Sequence, residues 1–269
     1  MCGTRGKMDG KKAEEESGPG ADDSGGSCFP KPDSPVLPRI AFDRKFFFDL
    51  FVSRTTQQAL HDDDFVERWI GGRLSSAKLE SSVVPISAVD RWSLGPTGNI
   101  QHESGRFFSV TGLEVRHRTK NEEISWDQPI IEQPEIGILG ILARKFVGVL
   151  HFCLQAKEEP GNINSVQLAP TVQATYSNYT QVHGGRLPLF IDLFLDPPHE
   201  RLLFSRLQAE DGGRFLYKSN KNMVIEAGAG EATALPEEFI WLTLRQISGL
   251  MRRDNTINSC TRSVLSCLI

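Results

Sequence analysis

The chain lacks a surplus of positive charge: 30 Lys and Arg against 34 Asp and Glu give its 269 residues a net charge of −4, with a pI near 5.9. Nucleic-acid backbones are held by clustered Lys and Arg, so a nucleic-acid partner is not expected and any phosphate partner should be small. No apolar run approaches the roughly 18 residues a membrane helix needs, and the N-terminus shows neither the apolar core nor the cleavage pattern of a signal peptide. The expected setting is cytoplasmic, with no membrane partner. Cys2, Cys28, Cys153, Cys260 and Cys267 are odd in number and form no CxxC pair, which argues against a disulfide framework or a zinc ribbon. GxGxxG, GxxxxGK[ST], HExxH and GxSxG are all missing, so dinucleotide, P-loop, zincin and serine-elbow chemistries are disfavoured. His102, His151, His183 and His199 are scattered; no metal and no cofactor are expected.

Large apolar side chains are also scarce before Phe29. Residues 1–38 are rich in Gly, Ser, Pro, Asp, Glu and Lys and cannot bury enough surface to offset the entropy of ordering. A disordered segment over 1–38 and a single folded module over 39–269 are expected. Within the module, Phe65, Trp69, Ile70 and Leu74 recur at helical spacing between Asp62 and Leu79. From Phe107 the period becomes two. Leu150, Phe152, Leu154 and Ala156 share one strand face, opposite His151, Cys153, Gln155, Lys157 and Glu159. Likewise Val166, Leu168, Val172 and Ala174 oppose Gln167, Thr171, Gln173 and Thr175, predicting a polar, concave sheet face. Pro134 marks an edge or bulge, and Gly137 and Gly140 leave room for a close approach. Leu203 to Ile225 reads as strands around an Asp211-Gly212-Gly213 turn. Pro236, Glu237 and Glu238 read as the start of a helix carrying Phe239, Leu242, Ile247 and Leu250 to Arg253, and a last helix spans about Asn258 to Cys267. The class is α+β.

Polar and charged groups embedded in apolar strands mark pocket walls, because burying an unpaired charge costs several kcal/mol. The strings that carry them, HESGRFFSV from His102, QPIIEQPEIGILGIL from Gln128, LHFCLQAKEEPGN from Leu150, QLAPTVQATYSNYTQVHGG from Gln167 and FIWLTLRQISGLMRRDNTINSCTRSVLSCL from Phe239, resemble the NDP-hexose 2,3-dehydratases of deoxysugar biosynthesis. The resemblance runs from about Phe65 to Leu268. It implies a Nudix-like mixed β-sheet with flanking helices, here without the paired-glutamate helix of the hydrolases. It also implies elimination from an NDP-4-keto-6-deoxyhexose, with the product passed to a 3-ketoreductase. Family members usually carry two tandem copies of the module where this chain has one, so either a homodimer restores the pair, which is the expectation, or the chain is a solitary, non-catalytic nucleotide-sugar-binding half. AEDGGRF at 209–215 and Lys221 depart from the family pattern.

Elimination requires a base for the C3 proton and a donor for the C4 oxygen, since the gap between a carbon acid and a side-chain base is on the order of ten pKa units at about 1.4 kcal/mol each. Lys157 suits the electrophilic role, with Gln155 and Gln173 as neutral donors. Glu135, Glu159, His102 and Tyr179 are the base and acid candidates. Glu135 is favoured as base because it sits between Pro134 and Ile136, where desolvation raises a carboxyl pKa; a buried ion pair with Arg106 or Lys157 is the alternative. His102 can equally cap a strand end, and Tyr179 can simply pack. Arg106 and Arg214 can hold diphosphate oxygens bidentately and Lys218 can add a point charge, or all three are surface cations. Trp126 can stack on the base or pack in the core, while Asn162 and Asn178 can read polar edges or ribose hydroxyls.

Overall fold

The computed structural model describes residues 44–179, 186–232 and 234–268. The leader expected over 1–38 and the predicted start near Pro38 lie outside the described residues. Two helices come first, α1 (Arg44–Thr55) and α2 (Asp63–Ser75). The Asp62 side chain accepts from Phe65 N at 2.6 Å and satisfies one of the orphan donors of α2. Strands β1 (Trp92–Leu94), β2 (Ile100–His102), β3 (Ser109–Arg118) and β4 (Glu123–Glu132) follow. Then come β5 (Gly137–Phe146), β6 (Val149–Glu158), β7 (Val166–Pro170) and β8 (Val172–Ala174), and the short helices α3 (Tyr176–Tyr179) and α4 (Asp192–Leu195). Strands β9 (Leu202–Ala209), β10 (Phe215–Leu216), β11 (Ser219–Glu226) and β12 (Phe239–Thr243) precede α5 (Leu244–Leu250) and α6 (Ser259–Ser266).

Two mixed sheets result. One has the order β1-β2-β3-β4-β10, with β10 parallel to β4. The other follows β12-β6-β5-β11-β9, with β7 added to β6, β8 added to β5, and β11 parallel to β5. The second sheet is buried on both faces. One face packs Ile141, Phe152, Leu154 and Leu242 under Leu50 of α1, Val66 of α2, Ile247 of α5 and Val264 of α6. The other packs Leu142, Cys153, Met223, Ile225 and Trp241 with Ile191 and Phe194. A Cβ on Gly140 would lie 2.4 Å from the Phe194 ring, so the close approach predicted at Gly140 is made by that ring.

Burial on both faces corrects three expectations. The second face of β6 is not polar throughout, because His151 and Cys153 are as deeply buried as Phe152 and only Gln155 and Lys157 emerge. His151 is satisfied there as a neutral ring: Nε2 accepts from Leu60 N at 2.9 Å and Nδ1 lies 2.9 Å from Val149 O, which it can reach only as a donor. Secondly, Phe239 to Thr243 is a strand rather than the first turn of a helix. Five consecutive buried residues suit a strand covered on both sides, and the helix begins after Thr243, where a capping box with Gln246 closes its N-terminus. Thirdly, Leu168 belongs to the first core cluster while Val172 and Ala174 belong to the second. The alternation breaks at Pro170–Thr171, where β7 leaves β6 and β8 joins β5.

Candidate active site

That break creates the site. Strands β5 and β6 pair from Phe146↔Val149 to Leu142↔Cys153 and then diverge. Into the fork runs the β7–β8 segment, pairing with β6 from Leu154↔Pro170 to Glu158↔Val166 and with β5 from Gly140↔Val172 to Ile138↔Ala174. Parting strands leave backbone groups without ladder partners, and Thr171 supplies them: its Oγ1 accepts from Leu142 N at 2.9 Å and donates to Cys153 O at 2.5 Å. The fork apex is therefore hydrogen-bonded, with Thr171 buried.

At its open end the side chains are polar. A cleft of about 300 Å³ is bordered by Gln155, Lys157, Gln173, Asn178 and Arg186 over apolar Val172 and Phe239. A second, of about 280 Å³, is bordered by Glu159, Glu210, Lys218, Asn220 and Cys260. Lys157, Gln173 and Asn178 belong to both, so the two form one trough. Its combined size suits a small polar ligand. Lys157 Nζ lies 3.3 Å from Glu159 Oε1, and Gln173 Nε2 donates to the same oxygen at 2.9 Å. Lys218 Nζ donates to the Glu135 carbonyl oxygen; burial lowers its pKa, opposed by the carboxylates of Glu210 and Glu135. Asn220 Nδ2 donates to the Glu210 carboxylate. Burial pushes the Cys260 thiol up to about 11, so it stays protonated and inert at neutral pH.

Of the residues singled out by sequence, Gln155, Lys157, Glu159, Gln173, Asn178 and Lys218 meet in this trough. Glu135 lies just behind it. Its Oε2 accepts from Ser177 N at 3.1 Å and Ser177 Oγ at 2.9 Å, which anchors α3, and it pairs with neither Arg106 nor Lys157 among the described residues. Tyr179 follows on α3, its hydroxyl pKa raised by burial first and then by Tyr176 and Glu135, and it borders neither cleft. His102, Arg106 and Trp126 sit in or beside the five-stranded sheet. The His102 ring meets Ser104 Oγ at 2.8 Å and stacks edge-on with Phe107. Trp126 donates to Gln128 Oε1 at 3.0 Å and is 46% exposed. Exposed Arg214 pairs with Asp211. The Asn162 amide donates to the carbonyls of Lys157 and Ser165, both at 3.2 Å, and holds the β6–β7 turn.

Sequence reading passed over Arg186, Glu210 and Asn220. Arg186 follows the HGG string, Glu210 precedes the Asp-Gly-Gly turn, and Asn220 alternates with Asn222 on β11. Only the alternating asparagines of a buried strand give a local signal that a polar wall is near.

The fold and this trough define an α+β domain with a polar cleft at a strand fork. The chain belongs to the NDP-hexose 2,3-dehydratase family, whose model matches residues 63–268. It is 46% identical over 238 residues to a dTDP-4-dehydro-6-deoxy-alpha-D-glucopyranose 2,3-dehydratase of Amycolatopsis orientalis, covering 87% of this chain and 50% of that protein. Proteins of the same description are 47% identical in Saccharopolyspora spinosa, over 74% of this chain and 41% of that protein, and 43% identical in Streptomyces violaceoruber, over 74% and 44%. The chain thus spans about half the length of these curated relatives. Among solved structures, the C-terminal domain of mouse MUTYH in complex with human PCNA aligns at a TM-score of 0.33 and 12% identity, over 50% of this chain and 86% of that one, too loosely to argue from.

Proposed function

We propose that the trough binds a nucleotide-activated 4-keto-6-deoxyhexose, in the first instance TDP-4-keto-6-deoxyglucose, and that the chain acts as a lyase on it. The C3 proton is removed, its electrons move into the C4 carbonyl as an enolate, and their return expels the C2 hydroxyl, which leaves as water once protonated. No external oxidant or reductant is needed. What supports this most is a single feature, the convergence of Lys157, Glu159, Gln173 and Asn178 where the two clefts join. A fixed cation there offsets charge developing on the C4 oxygen, and a carboxylate beside it accepts the proton. Lys157 is the electrophile and Glu159 the base. Lys218, desolvated in the second cleft, protonates the departing hydroxyl in place of His102 or Tyr179. Arg186 holds the diphosphate in place of Arg106 and Arg214, and Gln155 and Asn178 bind sugar or ribose hydroxyls.

The proposal extends to a Nudix-like arrangement of the sheet, supported by helices on both of its faces. It extends also to a homodimer in the cytoplasm that hands its product to a 3-ketoreductase. A second reading, a nucleotide-sugar-binding half without turnover, is favoured by the half-length match to the relatives. Incubating the purified chain with TDP-4-keto-6-deoxyglucose, a 3-ketoreductase and NADPH separates the two. Loss of the C2 oxygen is the expected outcome; binding without product leaves the second reading, and release of a nucleoside monophosphate contradicts both.

A further inference from the structure

Helix α6 is capped by Asn258, which is 4% exposed, and its two side-chain atoms have different partners. Oδ1 accepts from Thr261 N at 2.8 Å, while Nδ2 donates to Gln173 Oε1 at 3.0 Å. A backbone N–H can only donate, so the atom facing Thr261 must be the oxygen and the atom facing Gln173 must be the amide nitrogen. Gln173 is then obliged to turn its oxygen to Asn258 and its own NH2 outward, and that NH2 donates to Glu159 Oε1 at 2.9 Å. Each step fixes the next, from a helix terminus to the carboxylate beside Lys157.

We propose that Asn258 is a positioning residue for the trough, setting the Gln173 amide so that Gln173 and Lys157 both hold Glu159 Oε1 and Oε2 is left to take the substrate proton. This rests on the dehydratase reading above for its catalytic consequence, though not for the hydrogen-bond order itself. Residue choice at this position follows from it. As helix caps, Asn, Asp and Ser are close to equivalent. Asn accepts with one atom and donates with its neighbour, Asp cannot donate, and Ser has a single hydroxyl on a shorter stem for both tasks, so a capping role alone predicts that Asp or Ser serves as well, whereas the relay excludes Asp and is weakened by Ser. An aspartate in place of Asn258 would present a second acceptor to Gln173, whose amide then reverses and points its oxygen at the Glu159 carboxylate.

The test compares the full-length chain with Asn258→Asp and Asn258→Ser. Thermal midpoints are expected to stay within a few degrees, because the cap survives. Turnover in the coupled assay should drop on the order of tenfold for Ser and further for Asp, with KM for the nucleotide sugar nearly unchanged, since the loss falls on the proton-transfer step. Selective 15N labelling of glutamine gives a readout that needs no activity. The Gln173 side-chain NH2 resonances, assigned through Gln173→Ala, are expected to shift in Glu159→Gln and to shift in Asn258→Asp. Wild-type resonances at Gln173 in Asn258→Asp, or wild-type turnover in that variant, overturn the relay. A wild-type chain that shows the NMR response and no turnover defeats the dehydratase reading while leaving the hydrogen-bond order standing.

Discussion

Lys157 and Glu159 lie 3.3 Å apart, each a little under one-third exposed. Replacing Lys157 with Met removes the donor for the enolate oxygen and should lower turnover by about 10²-fold or more, with nucleotide binding largely kept. Titration gives a second check at this scale. Burial, followed by the repulsion of His61, holds the His151 pKa below its ordinary value near 6.5, and its bond to Val149 O only partly offsets this. A base whose folded pKa is depressed binds fewer protons folded than unfolded, so its contribution is complete above pH 6.5 and is lost as pH falls toward the folded pKa. The His151 ring should thus titrate below 6.5 by NMR, with the urea midpoint falling over the same interval; a midpoint at or above 6.5 contradicts the neutral, doubly bonded ring. Much of the trough was legible because Gln155 and Lys157 alternate along β6 and Glu159 follows directly after its end, which keeps them close whatever the tertiary fold. His102 and Arg106 occur in an equally family-like string and Trp126 lies two residues before another, yet all three belong in or beside the other sheet, and no local pattern says which sheet a strand joins.

The decisive element is the fork, held open by one hydroxyl. Thr171→Val keeps the shape and deletes that hydroxyl, leaving Leu142 N–H and Cys153 C=O buried without partners, a cost of about 3 kcal/mol. Urea unfolding should show that loss with an unchanged slope, and a loss below about 0.5 kcal/mol would mean the ladder closes without Thr171. Gly140→Ala drives a Cβ into the Phe194 ring and should destabilise by about 1–3 kcal/mol, relieved in part by Phe194→Leu. The fork was not legible as such. Periodicity carried Val166 through Ala174 as one strand, because a two-residue period has no means of reporting a change of partner at Pro170–Thr171. The same limit produced the helix expected from Pro236. FIWLT is apolar under either period, and only the Thr243 and Gln246 capping box marks where the helix starts.

For the molecule as a whole, three cations of an acidic chain border one trough. Lys157, Lys218 and Arg186 gather at the trough while the net charge stays at −4, so an anionic ligand is expected to bind there rather than over the surface at large. Among the described residues no helix is long and apolar enough to cross a membrane. The α+β class was visible in the switch of hydrophobic period, whereas the second sheet's burial on both faces emerged only from packing. On the proposal of a homodimer, light scattering behind size exclusion should give twice the mass of one 29.9 kDa chain. A monomer with full turnover would remove that expectation. The account as a whole turns on Glu159 acting beside Lys157, and the direct measurement is nucleotide-sugar affinity and C2 deoxygenation in the same preparations of wild type and Glu159→Gln. Affinity within about threefold and turnover reduced by at least about 10²-fold is the predicted result; equal turnover in the two proteins, or a wild-type chain that binds no nucleotide sugar, contradicts it.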